Sequence, residues 1–564
     1  MISPEFLFPA RCRSGHCNPH PRLESSVRTL PDASPNAVPP ASGEAMTVAA
    51  FGQNAGMDFC GLLPTENFRI ATGRCADAGG LPQALWYFRD ETIALAKPGL
   101  PLAGFARDLP VREDLANWAR ANPPGSALDY PPLVWIGAPA VERGARISRV
   151  ATAVTTSRGE VALELAARLP LNQSWFDASS ATFFCGRPVK LRGNHADGSF
   201  VARTLWPEDF RLSEAPPDVA LAADPAAVRA WVRAQPQGGA RSPFAVERAW
   251  RRPESGGPQP GQPLFGMILN GAQGDDDEAH GGHFALITGR VGASGALDDL
   301  LVYNFYTLDA ESEKGTIAAP VPLDNYLGDL NSGQAWYRPS YLLLATLAEP
   351  RVAAHLHSAL ARVYNQFYRH QLGYQHSRAN CAGISVATLR TLGWQVPVRG
   401  AESWFKAIPA LPLVAARRAS LARGKAVFDY LTEDRTLLYP AVAFAEIAAD
   451  LLRLVAGEGN RPLSELERLL AADVDEILLV RVPQFPSSRA WGDWPVESSG
   501  EYTACVPKDP AQHRIIPLPP RPFPAELRDP CSPREPPLRS DYAAAAWGVA
   551  LLGAALLILR QILE

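Results

Sequence analysis

The sequence contains no CxxC pair, no block of lysine or arginine and no recurring unit on the scale of repeat proteins. Its eight cysteines, Cys12, Cys17, Cys60, Cys75, Cys185, Cys381, Cys505 and Cys531, are scattered. That spacing excludes a small disulfide scaffold and a zinc ribbon. Charge is sparse, at 20% of residues, and 54 basic side chains against 58 acidic ones leave a formal −4. Without a basic patch there is no electrostatic footprint for nucleic acid, and no such partner is expected. The lack of internal repeats sets aside solenoids and propellers. No basic n-region followed by an apolar h-region opens the chain, so no secretory signal peptide is expected. Residues 1–45 are rich in Pro, Ser, Arg and Asn and read as disordered.

What is present is length and proline. The 564 residues suffice for two to four domains of roughly 150 residues each, and 47% apolar content is that of a globular chain. The 53 prolines are about 9% of the chain, against about 5% in ordinary proteins. Proline is excluded from helix interiors and central strands, so the excess marks seams. It gathers at the start, in a linker over 216–262, and in a spacer over 491–540, where eleven prolines fall between Pro507 and Pro537.

Between these seams the patterning changes. Residues 46–215 alternate in short segments broken by turns and read as a β-rich domain, with Asn194 to Gly198 as the loop of a hairpin. Residues 263–400 hold three strand-like runs followed by helices, and 401–490 read as a helical extension in amphipathic register. From Ala543 to Leu559 the run AAAAWGVALLGAALLIL carries no charge, with Tyr542, Trp547 and Arg560 placed for the interfaces. This predicts a single-pass transmembrane helix over 541–562, a bilayer as partner and a cell-membrane location. Arg528, Arg534 and Arg539 before the run, against Arg560 after it, lean toward a cytoplasmic body.

One segment carries candidate chemistry. Asn380 is a favoured N-cap, the run after it can form three turns, and Gly393 suits the C′ position. Cys381 then sits in the first turn, where the partial positive charge of the helix end favours a thiolate nucleophile. A base is offered by His283, which opens the strand-like run HFALIT and so rides on a rigid element. The next strand, LVYNFY, presents Asn304 or Tyr303 to orient the imidazole. Cysteine at a helix start, histidine on a strand and a polar orienter form the arrangement of papain-like enzymes. Here histidine precedes cysteine, which is the circularly permuted order.

Gly282-His283-Phe284-Ala285-Leu286, the strand from Tyr303 to Asp309, and the helix leading to Asn380-Cys381 resemble the Lnb N-terminal periplasmic domain family, a permuted papain-like group of NlpC type found in bacteria. The resemblance covers about 265–395. It implies His283 as base, Cys381 as nucleophile, Asn380 beside it and Asn304 on the second strand, and it leans toward a periplasmic body. The fold class expected from all of this is α+β: a permuted papain-like domain over 263–400, an N-terminal β-rich domain, a C-terminal helical extension and one transmembrane helix.

The expected function is membrane-anchored, cysteine-dependent acyl transfer on a peptide or acyl substrate, as a hydrolase of amidase or peptidase type or as an acyltransferase, with no cofactor and no metal. Two alternatives accompany it. One is a non-catalytic, membrane-anchored binding protein that keeps the fold. The other is a metal-dependent hydrolase drawing on Asp275, Asp276, Asp277, Glu278, His280 and His283, although the glycines of HGGH stand where a helix would have to aim both imidazoles. His355, His357, His370 and His376 lie on or beside helices and read as packing or surface residues.

Overall fold

The computed structural model describes residues 59–72, 84, 87, 88, 91–125, 128–166, 176–234, 243–272, 280–306, 308, 318–330, 338–377, 379–459, 461–487, 494–505, 508 and 509. In chain order the strands and helices begin with β1 (Phe59–Cys60), β2 (Leu63–Pro64), β3 (Phe68–Thr72), β4 (Thr92–Ala96), α1 (Val111–Ala121) and β5 (Val134–Gly137). There follow β6 (Ala140–Ile147), β7 (Ala153–Thr156), β8 (Gly159–Leu165), α2 (Ala178–Phe184), β9 (Val189–Ala196) and β10 (Ser199–Pro207). Strands β6 to β10 close into a five-stranded barrel, and β3, β4 and β5 form a separate three-stranded sheet. The β9–β10 hairpin turns on Asp197 and Gly198, both at positive φ, as a two-residue loop with right-handed strand twist requires. The loop expected from Asn194 is therefore tighter than the sequence suggested.

The second half is organised by a seven-stranded sheet. Its elements are α3 (Pro225–Arg233), β11 (Ala245–Arg251), β12 (Pro263–Asn270), β13 (His283–Arg290), β14 (Leu301–Asn304), β15 (Ala319–Pro322), α4 (Leu323–Gly328), β16 (Ser340–Leu347), α5 (Arg351–Tyr368) and α6 (Cys381–Thr391). After these come α7 (Trp404–Arg418), α8 (Leu421–Thr432), α9 (Arg435–Leu438), α10 (Pro440–Ala456), α11 (Glu465–Asp473), β17 (Val474–Val482) and α12 (Ser499–Cys505). The strand order is β11-β17-β16-β12-β13-β14-β15, antiparallel throughout. Every residue of β12 and β16 is buried, and so is all of β13 except Arg290. This explains why these strands read as continuous apolar runs rather than alternating ones: both faces of the sheet are covered. Helices α5 and α10 pack on β12 and β13, and one continuous core joins them.

The barrel is tied to this sheet by charge. Lys190 Nζ on β9 lies 2.6 Å from Asp298, 2.7 Å from Asp299 and 2.9 Å from Asp324, and Arg192 Nε is 2.7 Å from Asp324. Arg143 on β6 meets Asp298 at 2.8 Å and Asp299 at 2.9 Å. Three cations face three carboxylates, so the buried charge is balanced; such a cluster specifies how the two bodies dock more than it adds to stability.

Three expectations are corrected. The architecture is mixed α/β, with twelve helices among the described residues interleaved with sheets and a barrel, rather than the expected α+β assembly ending in a transmembrane helix. The expected helical extension does not stand apart from residues 263–400 either. Val474–Val482, read as the end of a helical run, is β17, and it lies inside the main sheet between β11 and β16. A short apolar run cannot be told from a buried helix by periodicity alone. Among the described residues no helix is long and apolar enough to cross a membrane, which removes the support for a single-pass anchor, a bilayer partner and a membrane location. The run behind those expectations is 543–559. It lies outside the described residues, as do residues 1–45 and most of the proline-rich spacer.

Candidate active site

His283 is the first residue of β13, and two features hold it there. Gly282, before it, has φ +71, and a Cβ at that position would lie 2.6 Å from the Pro495 side chain and 2.8 Å from the Asn270 carbonyl. Only glycine turns the chain into the strand in that space. His283 then pairs with Asn270 of β12, and Asn270 with Ser340 of β16, so the starts or ends of three strands meet at one edge. Asn270 Nδ2 donates to Ser340 Oγ at 2.8 Å, and Tyr326 Oη donates to Asn270 Oδ1, which keeps this buried edge hydrogen-bonded.

Strand β14 runs antiparallel to β13 with Tyr303 opposite Leu286, so Asn304 follows toward the His283 end. His283 Nε2 and Asn304 Oδ1 are 2.6 Å apart, and both residues are buried. An amide oxygen only accepts, so Nε2 carries the proton and Nδ1 presents its lone pair. Asn304 is itself steadied by Tyr364 of α5, whose Oη donates to the Asn304 carbonyl at 2.7 Å.

Cys381 opens α6. Asn380 is its N-cap: Oδ1 accepts from the Gly383 N–H at 2.8 Å, and Nδ2 donates to the Leu438 carbonyl at 2.8 Å. Asn380 thus positions the helix start and ties it to α9. Gly393, at φ +103, follows the Leu392 C-cap as expected. The thiol receives backbone N–H groups from Phe284 and Ala382 and a hydrogen bond from the Tyr374 side chain. Phe284 directly follows His283, so the backbone donor to the Cys381 thiol and the His283 imidazole both belong to the first two residues of β13.

The electrostatics differ from the expectation of a thiolate favoured by the helix end. Burial raises the Cys381 thiol above its ordinary value, and the two N–H groups, Tyr374 and the Arg338 cation only partly offset it. Burial also lowers the His283 imidazole to about 3, helped by Arg338 and opposed by Asn304. The resting pair is a neutral thiol and a neutral imidazole. Arg338 was not anticipated; nothing in Trp336-Tyr337-Arg338-Pro339-Ser340 marks it. Its place becomes readable only from the sheet, because it stands two residues before Ser340 at the edge His283 occupies. Tyr306 and Tyr374 complete an aromatic wall, with ring centroids 6.4 Å from His283 to Tyr306 and 5.7 Å between the two tyrosines.

Other candidates fall elsewhere. His280 is buried, with its ring 6.1 Å from Tyr502. Asp275, Asp276, Asp277 and Glu278 lie outside the described residues, and among the described residues no group of three His, Cys, Asp or Glu is placed to hold a metal ion. His355 stacks on Trp118 at 5.2 Å, and His357 is locked between Tyr303 Oη and the Asp129 carbonyl. Cys60 is buried, with burial pushing its thiol up to about 12, whereas Cys185 and Cys505 are exposed. Set against known proteins, the chain matches no family model, no curated protein and no solved structure.

Proposed function

We propose that the chain is a cysteine-dependent acyl-transfer enzyme, with Cys381 as nucleophile, His283 as general base and acid, and Asn304 as the residue that orients the imidazole. The observation that carries this reading is the buried 2.6 Å bond from His283 Nε2–H to Asn304, which turns the Nδ1 lone pair into the only titratable face of that ring. Cys381 Sγ attacks a carbonyl carbon as its proton passes to His283 Nδ1, forming an S–C bond and an oxyanion. The N–H groups of Ala382 and Phe284, which bind the thiol at rest, are the local donors for that developing charge. His283 returns the proton to the departing amine or alcohol as the C–N or C–O bond breaks. An acceptor, water in a hydrolase or an alcohol or amine in an acyltransferase, then takes the acyl group and restores the thiol.

The test is labelling by an activated acyl ester. Cys381 is expected to label selectively over the exposed Cys185 and Cys505, and His283→Ala to slow that labelling by about 10²–10⁴-fold. Because the thiol is raised and the imidazole held near 3, labelling should climb with pH into the alkaline range without a step near 6.5. Labelling of Cys381 no faster than that of Cys185, or unchanged by His283→Ala, would overturn the proposal.

A further inference from the structure

The β13–β14 hairpin that carries His283 and Asn304 at one end has a second feature at the other. Arg290 is the last residue of β13, seven residues from His283, which at about 3.4 Å per residue places it some 24 Å from the imidazole. There the hairpin turn and the end of the barrel enclose a cavity of about 190 Å³. Trp206, Phe210 and Arg211 wall it from the barrel side, and Arg290, Ala293 and Asp298 from the hairpin side.

The charges around this cavity are not all answered. Arg143 and Lys190 take Asp298 and Asp299, as described above, so those carboxylates are already balanced by the docking cluster. Glu208, also on the wall, accepts from the Gly144 N–H at 3.1 Å. Arg290 has no carboxylate partner among the described residues. Its Nη1 donates to the Gly261 carbonyl at 3.0 Å, its guanidinium lies 5.1 Å from the Phe59 ring centroid, and its Nε is buried without a hydrogen-bond partner. Arg211 has no carboxylate partner among the described residues either; its Nε donates to the Glu208 carbonyl at 2.7 Å. Among the described residues two guanidinium groups therefore line one small cavity without an ion pair, against the one carboxylate of Glu208 that also has none, and one of the two holds a buried orphan donor. A buried donor left unmade is costly, and a planar guanidinium fork matches the two oxygens of a carboxylate or phosphate.

We propose that this cavity binds a small oxyanion, a phosphate or carboxylate group, against the Arg290 guanidinium with Arg211 as second cation. Burial without a compensating anion lowers the Arg290 pKa, which agrees with a site waiting for negative charge. The cavity admits a compact anion rather than a large cofactor, since sites for drug-sized ligands begin at about 300 Å³.

The experiment uses the full chain at constant ionic strength, titrated by calorimetry and thermal unfolding with inorganic phosphate in one arm and succinate in the other. A saturable heat and a saturable rise in Tm with at least one anion are expected, and the arm that binds more tightly identifies phosphate or carboxylate as the group recognised. Arg290→Met should weaken binding at least about tenfold, Arg290→Lys should weaken it less, and Ala293→Phe, which fills the cavity without removing charge, should abolish it. Circular dichroism of each variant confirms that a folded protein is being titrated. No saturable binding of either anion, or equal affinity in folded Arg290→Met, would overturn the proposal. Acyl labelling of Cys381 is not a readout here, so the fate of this site and of the acyl-transfer reading are decided separately.

Discussion

His283 and His357 are both fully buried imidazoles held neutral by burial, at about 3 and about 4, and adjacent residues of β14 serve them. Tyr303 Oη meets His357 Nδ1 at 2.5 Å, and Asn304 Oδ1 meets His283 Nε2 at 2.6 Å. Successive side chains of a strand point to opposite faces, so one strand supplies both histidines from its two sides. The difference lies in the second nitrogen. His357 Nε2 bonds to the Asp129 carbonyl at 2.9 Å, whereas His283 makes no second hydrogen bond among the described residues. A histidine with both nitrogens engaged is a cross-brace between α5, β14 and the loop before β5. A histidine with one nitrogen engaged and a cysteine beside its strand is equipped to move a proton.

Exchanging each histidine for phenylalanine is the sharpest way to break this comparison. His357→Phe leaves the Asp129 carbonyl without its buried partner and takes one from Tyr303, and should cost about 2–4 kcal/mol of unfolding free energy in urea titrations. The folded fraction should still label at Cys381 at the wild-type rate. His283→Phe should do the reverse, removing labelling while costing less stability, because only the Asn304 contact is lost. If folded His357→Phe lost labelling as fully as His283→Phe, the division into brace and base would fail.

Acid sharpens the comparison from the side the two histidines share. Their folded values, about 3 and about 4, lie below the ordinary 6.5, and His355 is also lowered to about 4 by burial. Below pH 6.5 the unfolded chain binds protons that the folded chain refuses, so stability falls as pH falls through the window from 6.5 toward 4. Each histidine adds up to about 1.4 kcal/mol per pH unit to that slope. Urea midpoints at pH 7, 6 and 5 should therefore decline, and His357→Phe should decline less steeply by one histidine's share. An unchanged slope in that variant would mean that His357 is charged in the fold.

How much of this was open to inspection in the sequence depends on the range of the interaction. The N-cap at Asn380, the helix beginning at Cys381 and Gly393 beyond its end follow from local chemistry and are found as expected. His283 at a strand start, with Asn304 on the next strand, also follows from hairpin patterning. What the sequence hid is non-local. Val474–Val482 looked helical because its place between β11 and β16 is set by partners at least 127 residues away. The lowered thiol pKa expected from the helix end reversed because burial outweighs a half-charge at a helix terminus, and burial belongs to the whole fold. Arg338 reaches the site through sheet register alone. An apolar run read for length led to an anchor that no described helix supports.

The smallest expected effect tests how firmly Asn304 is held. Tyr364 stacks on Phe305 with centroids 4.3 Å apart and donates to the Asn304 carbonyl at 2.7 Å. Tyr364→Phe keeps the ring and its packing and removes only the hydroxyl, at a cost of about 1 kcal/mol for the lost hydrogen bond. The side chain of Asn304, not its carbonyl, aligns the imidazole, so labelling of Cys381 should slow only about two- to threefold, far less than in Asn304→Ala, where misalignment of the base can reach about a hundredfold. If Tyr364→Phe slowed labelling as much as Asn304→Ala, the hydroxyl would be positioning the base through the strand, and the contrast between the two sides of β14 would be one of degree.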